Sequence, residues 1–221
     1  MIYFIIVLCT ILLFLYLKTK NLYLVSKICG SSIFIYTAIF SYINNSTNFN
    51  YFILIFIALI FSFLGDVFLA LKSKPLEKLD TMFFLGLTSF VITHIFYSSA
   101  FITLGSLNIF ILILAVLVSL TLIIFFKSLK NFSFKNWIIP SYIYIFAISF
   151  MFCNALGLIK CNLNKTSLLL LIVGPLLLFI SDFIISFILF FKNSHKLLRP
   201  INLITYYLGQ ILIALSIFYI T

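Results

Sequence analysis

Four ionisable side chains lie inside long apolar runs of this sequence: Lys27, Asp66, His94 and Asp182. A carboxylate or ammonium at membrane depth costs at least ~2.5–3.5 kcal/mol on insertion scales, so each must face a bundle interior or a wet cavity. Asp66 and Asp182 are the foremost candidates for function. Two carboxyls in different surroundings can divide acid and base roles between them, because burial and a neighbouring cation act on a carboxyl in opposite senses. His94 falls in the series Gly86, Phe90, His94, Tyr97, spaced four, four and three, which puts all four on one helical face. A lone histidine there can equally be a hydrogen-bonded packing residue. His195 stands beside Lys196 in a loop and is expected to be solvated.

The elements that must position these groups are set by composition. The chain has 221 residues, 65% hydrophobic and 8% charged, with mean hydropathy +1.32. A soluble domain would carry charge on roughly a quarter of its residues. About 20 apolar residues span the hydrocarbon core, which predicts eight transmembrane helices near 2–17, 22–43, 50–71, 81–103, 107–126, 137–158, 168–191 and 201–220. The first is short, has no small-residue cleavage site and is expected to be a retained span or signal anchor. Loops are brief, so residues 1–221 form a single all-α domain, a polytopic membrane helix bundle.

Orientation follows from the basic residues. Eleven of them (Lys18, Lys20, Lys72, Lys74, Lys78, Lys127, Lys130, Lys135, Lys192, Lys196 and Arg199) fall on one side of the predicted bundle, against Lys160 and Lys165 on the other. By the positive-inside rule the richer side is cytoplasmic and the N and C termini are outside. The net charge of +10 therefore points to an anionic leaflet and not to nucleic acid, since no basic stripe forms on one face. The expected location is multi-pass integral membrane, the plasma membrane if the source is bacterial.

At ~1.5 Å rise per residue, Lys27, Asp66, Asp182, Tyr206, Gln210 and Tyr142 reach one slab in the cytoplasmic half, with His94 deeper. Leu64-Gly65-Asp66 and Ile180-Ser181-Asp182 each lead through a basic loop into a helix with polar residues on one face, a pattern that suggests a weak parallel repeat. No HExxH, GxSxG, Walker or GxGxxG arrangement is present, and one intramembrane His is short of a zinc site. No metal or cofactor is expected. Cys9, Cys29, Cys153 and Cys161 are scattered and read as free thiols.

Gly65-Asp66-Val67-Phe68-Leu69, then Gly86, Phe90, His94 and Tyr97, then Ser181-Asp182, then Tyr206-Tyr207-xx-Gln210 resemble, in order and spacing, the YhhN-type lysoplasmalogenase family. The resemblance covers roughly residues 22 to 218. Lys27 stands where that family often has Lys-Pro, with Ile28 in place of the proline. The resemblance implies an eight-helix bundle that hydrolyses the vinyl ether bond of lysoplasmalogens to a fatty aldehyde and a glycerophospho-ethanolamine or -choline. A lysophospholipid drawn from the bilayer would be the substrate. Vinyl ether hydrolysis needs a general acid, a nearby anion and a water, as two-carboxylate glycoside hydrolysis does.

On that chemistry Asp182 is expected to give the proton. Asp66, paired with Lys27, would stabilise the cation and orient water. His94, Tyr97, Tyr142, Tyr206, Tyr207 and Gln210 would bind or position substrate, and Lys72 or Lys74 would meet the lipid phosphate. A proton-coupled transporter of lipids or small molecules is the alternative that the same residue types allow.

Overall fold

In a membrane every backbone polar group must be satisfied within the chain, and apolar runs of this length do so as helices. The computed structural model of the protein describes residues 20–45, 47–72, 80–192 and 194–220. Seven helices there are long and apolar enough to cross a membrane. They are α1 (Lys20–Asn45), α2 (Phe49–Leu71), α3 (Thr81–Leu104), α4 (Ile109–Ser128), α5 (Ile138–Gly157), α6 (Lys165–Phe190) and α7 (Leu198–Tyr219). Each matches an expected span to within a few residues. The expected helix at 2–17 lies outside the described residues, as do Lys18, Lys74 and Lys78.

Helix starts are encoded locally. Asn48, Asp80, Asn108 and Asn164 each accept a hydrogen bond from a first-turn amide at 2.7–3.0 Å. These N-caps occupy amides that have no intrahelical partner. Several buried hydroxyls are satisfied in the same economical way. Ser89, Ser98 and Thr93 return a hydrogen bond to the carbonyl four residues back, at 2.7–3.1 Å.

The helices alternate in direction. At one end the loop after α4 meets the end of α6, with Ser133 N donating to Phe190 O at 3.0 Å and Lys192 N to Asn131 O at 3.0 Å. Phe83, in the first turn of α3, packs its ring against Trp137 of the turn before α5, 4.6 Å between centroids. Lys72, Lys127, Lys130, Lys135 and Lys192 belong to this basic end. At the opposite end Asn45 Nδ2 donates to Phe218 O and Asn164 Nδ2 to Tyr219 O.

Packing closes six of the helices into a ring in the order α1, α2, α3, α5, α6, α7 and back to α1, and α4 lies outside it against α5. Lipid gives no hydrophobic drive between helices, so close approach depends on small residues. Gly65 lies under the Phe90 ring and Gly86 under Leu69, which joins α2 to α3. Gly174 and Gly209 join α6 to α7: a Cβ on Gly209 would stand 2.9 Å from the Gly174 carbonyl oxygen. The suggested repeat corresponds to these two tight pairs, but they approach at different depths. Gly65 adjoins Asp66, whereas Gly174 is two turns from Asp182, next to Pro175 inside α6.

Candidate functional site

Inside the ring, toward its basic end, lies a cavity of about 60 Å³. All six ring helices line it: Lys27 from α1, Asp66 from α2, Phe90 from α3, Tyr144 from α5, Asp182 from α6 and Tyr206 from α7. The polar groups divide into two clusters on the two halves of the ring.

The first cluster comes from α1, α2 and α7. Lys27 Nζ is 2.6 Å from Asp66 Oδ1. Ser31 Oγ donates to Asp66 Oδ2 at 2.5 Å, one helical turn beyond Lys27, and Tyr206 OH donates to the same oxygen at 2.9 Å. Asp66 is 1% exposed. Three donors, one of them cationic, leave it little remaining acceptor capacity. The Lys27 ammonium also lies 5.2 Å from the Tyr206 ring centroid and 5.6 Å from that of Tyr207, inside cation–π range.

The second cluster comes from α3, α5 and α6. Tyr144 OH donates to Asp182 Oδ2 at 2.8 Å. His94 Nε2 is 3.3 Å from that oxygen and 3.4 Å from the Tyr144 hydroxyl. Asp182 keeps 15% of its side chain exposed, against 1% for Asp66, so it is the carboxyl open to the cavity. His94 is buried behind it, and its Nδ1 has no hydrogen-bond partner among the described residues. One imidazole nitrogen thus touches the carboxyl, and that contact can hold a proton in either sense according to tautomer. Next along α6, Ser181 is tied to α7 by Asn202, whose Nδ2 donates to Ser181 O and Oγ, each at 2.8 Å. This clamp fixes the wall from which Asp182 projects.

The residues expected from sequence fall in several places. Lys27, Asp66, Asp182 and Tyr206 line the cavity, with His94 directly behind. Tyr207 backs Lys27, its ring against Gly30, without lining the cavity. Tyr97 and Gln210 are hydrogen-bonded to each other and form a separate buried layer, in which Gln210 Nε2 donates to Ser62 Oγ at 2.9 Å. They tie α3, α7 and α2 together and do not reach the cavity. Lys72 stands near the basic end with its ammonium 5.4 Å over the ring of Phe83, itself a cavity residue. Half-burial lowers its pKa from the ordinary 10.5, with Asp80 opposing that shift and Lys135 adding to it.

Tyr142 does not line the cavity. It packs on Phe134, 5.7 Å between ring centroids, under the Lys127 ammonium at 5.2 Å, in the aromatic cluster of the basic end. The tyrosine that reaches the site is Tyr144, two residues and some 200° further round α5. Depth alone does not separate the two. Nor does spacing, since Tyr142 stands three residues before buried Ile145 and Tyr144 three after buried Ser141; the packing of α5 on α3 and α6 decides. Ser31 could have been found from spacing, one turn from Lys27 on the buried face with Ser26 and Phe34.

His94 and Asp182 are two metal-capable groups in contact, and among the described residues no third His, Cys, Asp or Glu joins them. Among curated proteins and solved structures, none matches the chain. A family model does, over residues 22–217, from the first helix of the ring to the last turns of α7, taking in every residue of both clusters. By that match the chain belongs to the YhhN family.

Proposed function

We propose that this protein is a membrane hydrolase that cleaves the vinyl ether bond of lysoplasmalogens, adding water to release a fatty aldehyde and a glycerophospho-ethanolamine or -choline. Membership of the YhhN family supports a hydrolase, and seven apolar helices support a multi-pass membrane protein. The observation that carries the chemistry is the pair of carboxyls in one intramembrane cavity, with unequal surroundings.

The reaction begins with proton transfer to the β-carbon of the vinyl ether, which leaves an oxocarbenium ion. Asp182 is the donor: it is open to the cavity, held by Tyr144, and backed by His94, which can return a proton to it. Asp66 is the fixed anion. Its three donors keep it in place while its charge favours the developing cation, as preorganised electrostatics require. Water captures the cation, and the hemiacetal collapses to aldehyde and alcohol, the proton that entered at carbon being restored to Asp182 from the attacking water. Lys72, near the basic end, is suited to the lipid phosphate.

A cavity of about 60 Å³ has room for few waters beside the reacting atoms, so the head group reaches it only if the basic end opens. A proton-coupled transporter uses similar residues. Such a carrier typically breaks helices at matching positions in its two halves, whereas α2 has no internal proline and α6 has Pro175. The test is aldehyde release by the purified protein in detergent, with a lysoplasmalogen and with a matched saturated 1-alkyl ether lysolipid. Aldehyde from the first substrate alone, and less than about a tenth of that rate in Asp182→Asn, is the expected outcome. A variant above that rate would remove Asp182 from the acid role, and release from neither substrate would reject the reaction.

A further inference from the structure

Tyr144 and Asp182 form a boundary with space on both sides. On one side is the central cavity. On the other the same two side chains close the inner end of a narrow cleft of about 20 Å³, bounded by Leu122 and Phe126 of α4, Ile148 of α5 and Phe183 of α6. The lining is otherwise apolar except for Ser186, whose hydroxyl is committed to the Asp182 carbonyl at 2.8 Å. Thus Asp182 stands at a junction between a polar chamber and a hydrocarbon one.

The outer wall of the cleft is side chain and not backbone. α4 packs along α5. Its approach to α6 runs through rings: Phe183 is 5.9 Å from Phe125 and 5.5 Å from Phe126, and Phe187 is 5.8 Å from Phe126. Of these rings Phe125 is exposed on the outer surface of α4, as are Leu117, Leu120 and Ile124. A ring rotates on a far shorter timescale than two packed helices separate.

We infer that the cleft is the portal for the substrate's hydrocarbon chain: about 20 Å³ takes only the first carbons beside Asp182, so the rest of the chain runs out sideways between α4 and α6 into the bilayer, with Phe183 as the gate that swings aside. The inference rests on the vinyl-ether reading, because it takes Asp182 as the reacting carboxyl. In a vinyl ether lipid everything beyond the ether oxygen is polar head group, and everything beyond the β-carbon is hydrocarbon. An acid that protonates the β-carbon must therefore meet the molecule where its two halves part. Asp182 occupies that position. Asp66, enclosed by Lys27, Ser31 and Tyr206, does not. The occupant is hydrocarbon because the cleft faces acyl chains and is lined by Leu, Ile and Phe. α4 thereby acquires a role, since it is the one described helix that does not reach the central cavity.

The full chain in lipid nanodiscs would be given two vinyl ether lysolipids with the same head group, one hexadecenyl and one butenyl. Leu122→Trp fills the cleft from α4, where the side chain is half-exposed and the helix is peripheral to the ring. Leu120→Trp adds the same bulk on the lipid face. Leu122→Trp is expected to lower the long-chain to short-chain ratio of kcat/KM at least about tenfold, and adding Phe183→Ala to restore much of it. Leu120→Trp should keep the wild-type ratio. Ser186→Leu obstructs the same cleft from α6 and replaces Leu122→Trp if that variant does not fold. An unchanged ratio in a folded, cleft-filled variant, or an equal change in Leu120→Trp, overturns the cleft and leaves the reaction standing. A wild-type protein that releases aldehyde from neither lipid overturns the vinyl-ether reading itself.

Discussion

Replacing Lys27 by Met would remove the ammonium 2.6 Å from Asp66 Oδ1 and leave a carboxylate that is 1% exposed, with only Ser31 and Tyr206 as donors. At that separation the Coulomb attraction is about 6 kcal/mol for an effective dielectric near 20, most of which offsets the desolvation of the two charges. The measurable quantity is the asymmetry. Breaking one partner of a buried pair costs ~3–5 kcal/mol, while replacing both by neutral groups of similar volume is close to neutral.

Lys27→Met and Asp66→Asn are each expected to lose stability in that range. Asp66→Asn belongs at its lower end, because the amide oxygen still accepts from Ser31 and Tyr206. The double variant should lose less than about 2 kcal/mol, a coupling of several kcal/mol in the cycle. Equilibrium unfolding in mixed detergent, followed by Trp137 fluorescence, reads stability, and aldehyde release reads turnover. If Asp66 also serves the chemistry, the double variant recovers stability and remains inactive. Additive losses would refute the ion pair as the organising contact of this half of the ring. Recovery of both stability and turnover would reduce Asp66 to scaffolding.

Tyr144→Phe removes a hydrogen bond to a carboxyl and is expected to slow turnover roughly ten- to a hundredfold with a modest fall in unfolding midpoint, whereas Tyr142→Phe should stay near wild type in turnover; the reverse order in the aldehyde assay would bring Tyr142 to the site. Gly209→Val sets a Cβ 2.9 Å from the Gly174 carbonyl oxygen, so α6 and α7 must part, at a cost of about 1–3 kcal/mol in the same unfolding assay. Lys72 has a folded pKa below its ordinary 10.5, so the unfolded chain binds the extra proton between the two values. Stability should therefore rise with pH as it passes through the folded pKa toward 10.5, and Lys72→Met should flatten that rise in thermal midpoints taken across the alkaline range.

The sequence by itself determined the seven described spans, their alternation and the shared level of Lys27, Asp66, Asp182 and Tyr206. Hydropathy is a property of consecutive residues and rise per residue is fixed, so Lys27, Asp66, Asp182 and Tyr206 could be set at one level before any packing was known. Direction round each helix was another matter. In lipid an apolar residue is at home on the outer face as well as on the inner one, so the periodicity that marks the buried side of a soluble helix is faint here. Tyr142 and Tyr144 differ little in height and are separated only by which flank of α5 meets α3 and α6. The same cause hid the pairing of His94 with Asp182, whereas Gln210, one turn from Tyr206, joins Tyr97 and Ser62 in a layer of their own. Tertiary structure also decided the order of helices round the ring. That order places one anchored carboxylate and one accessible carboxyl on two halves of a single cavity, because glycine contacts draw α2 to α3 and α6 to α7 while α4, which packs mainly along α5, is left outside.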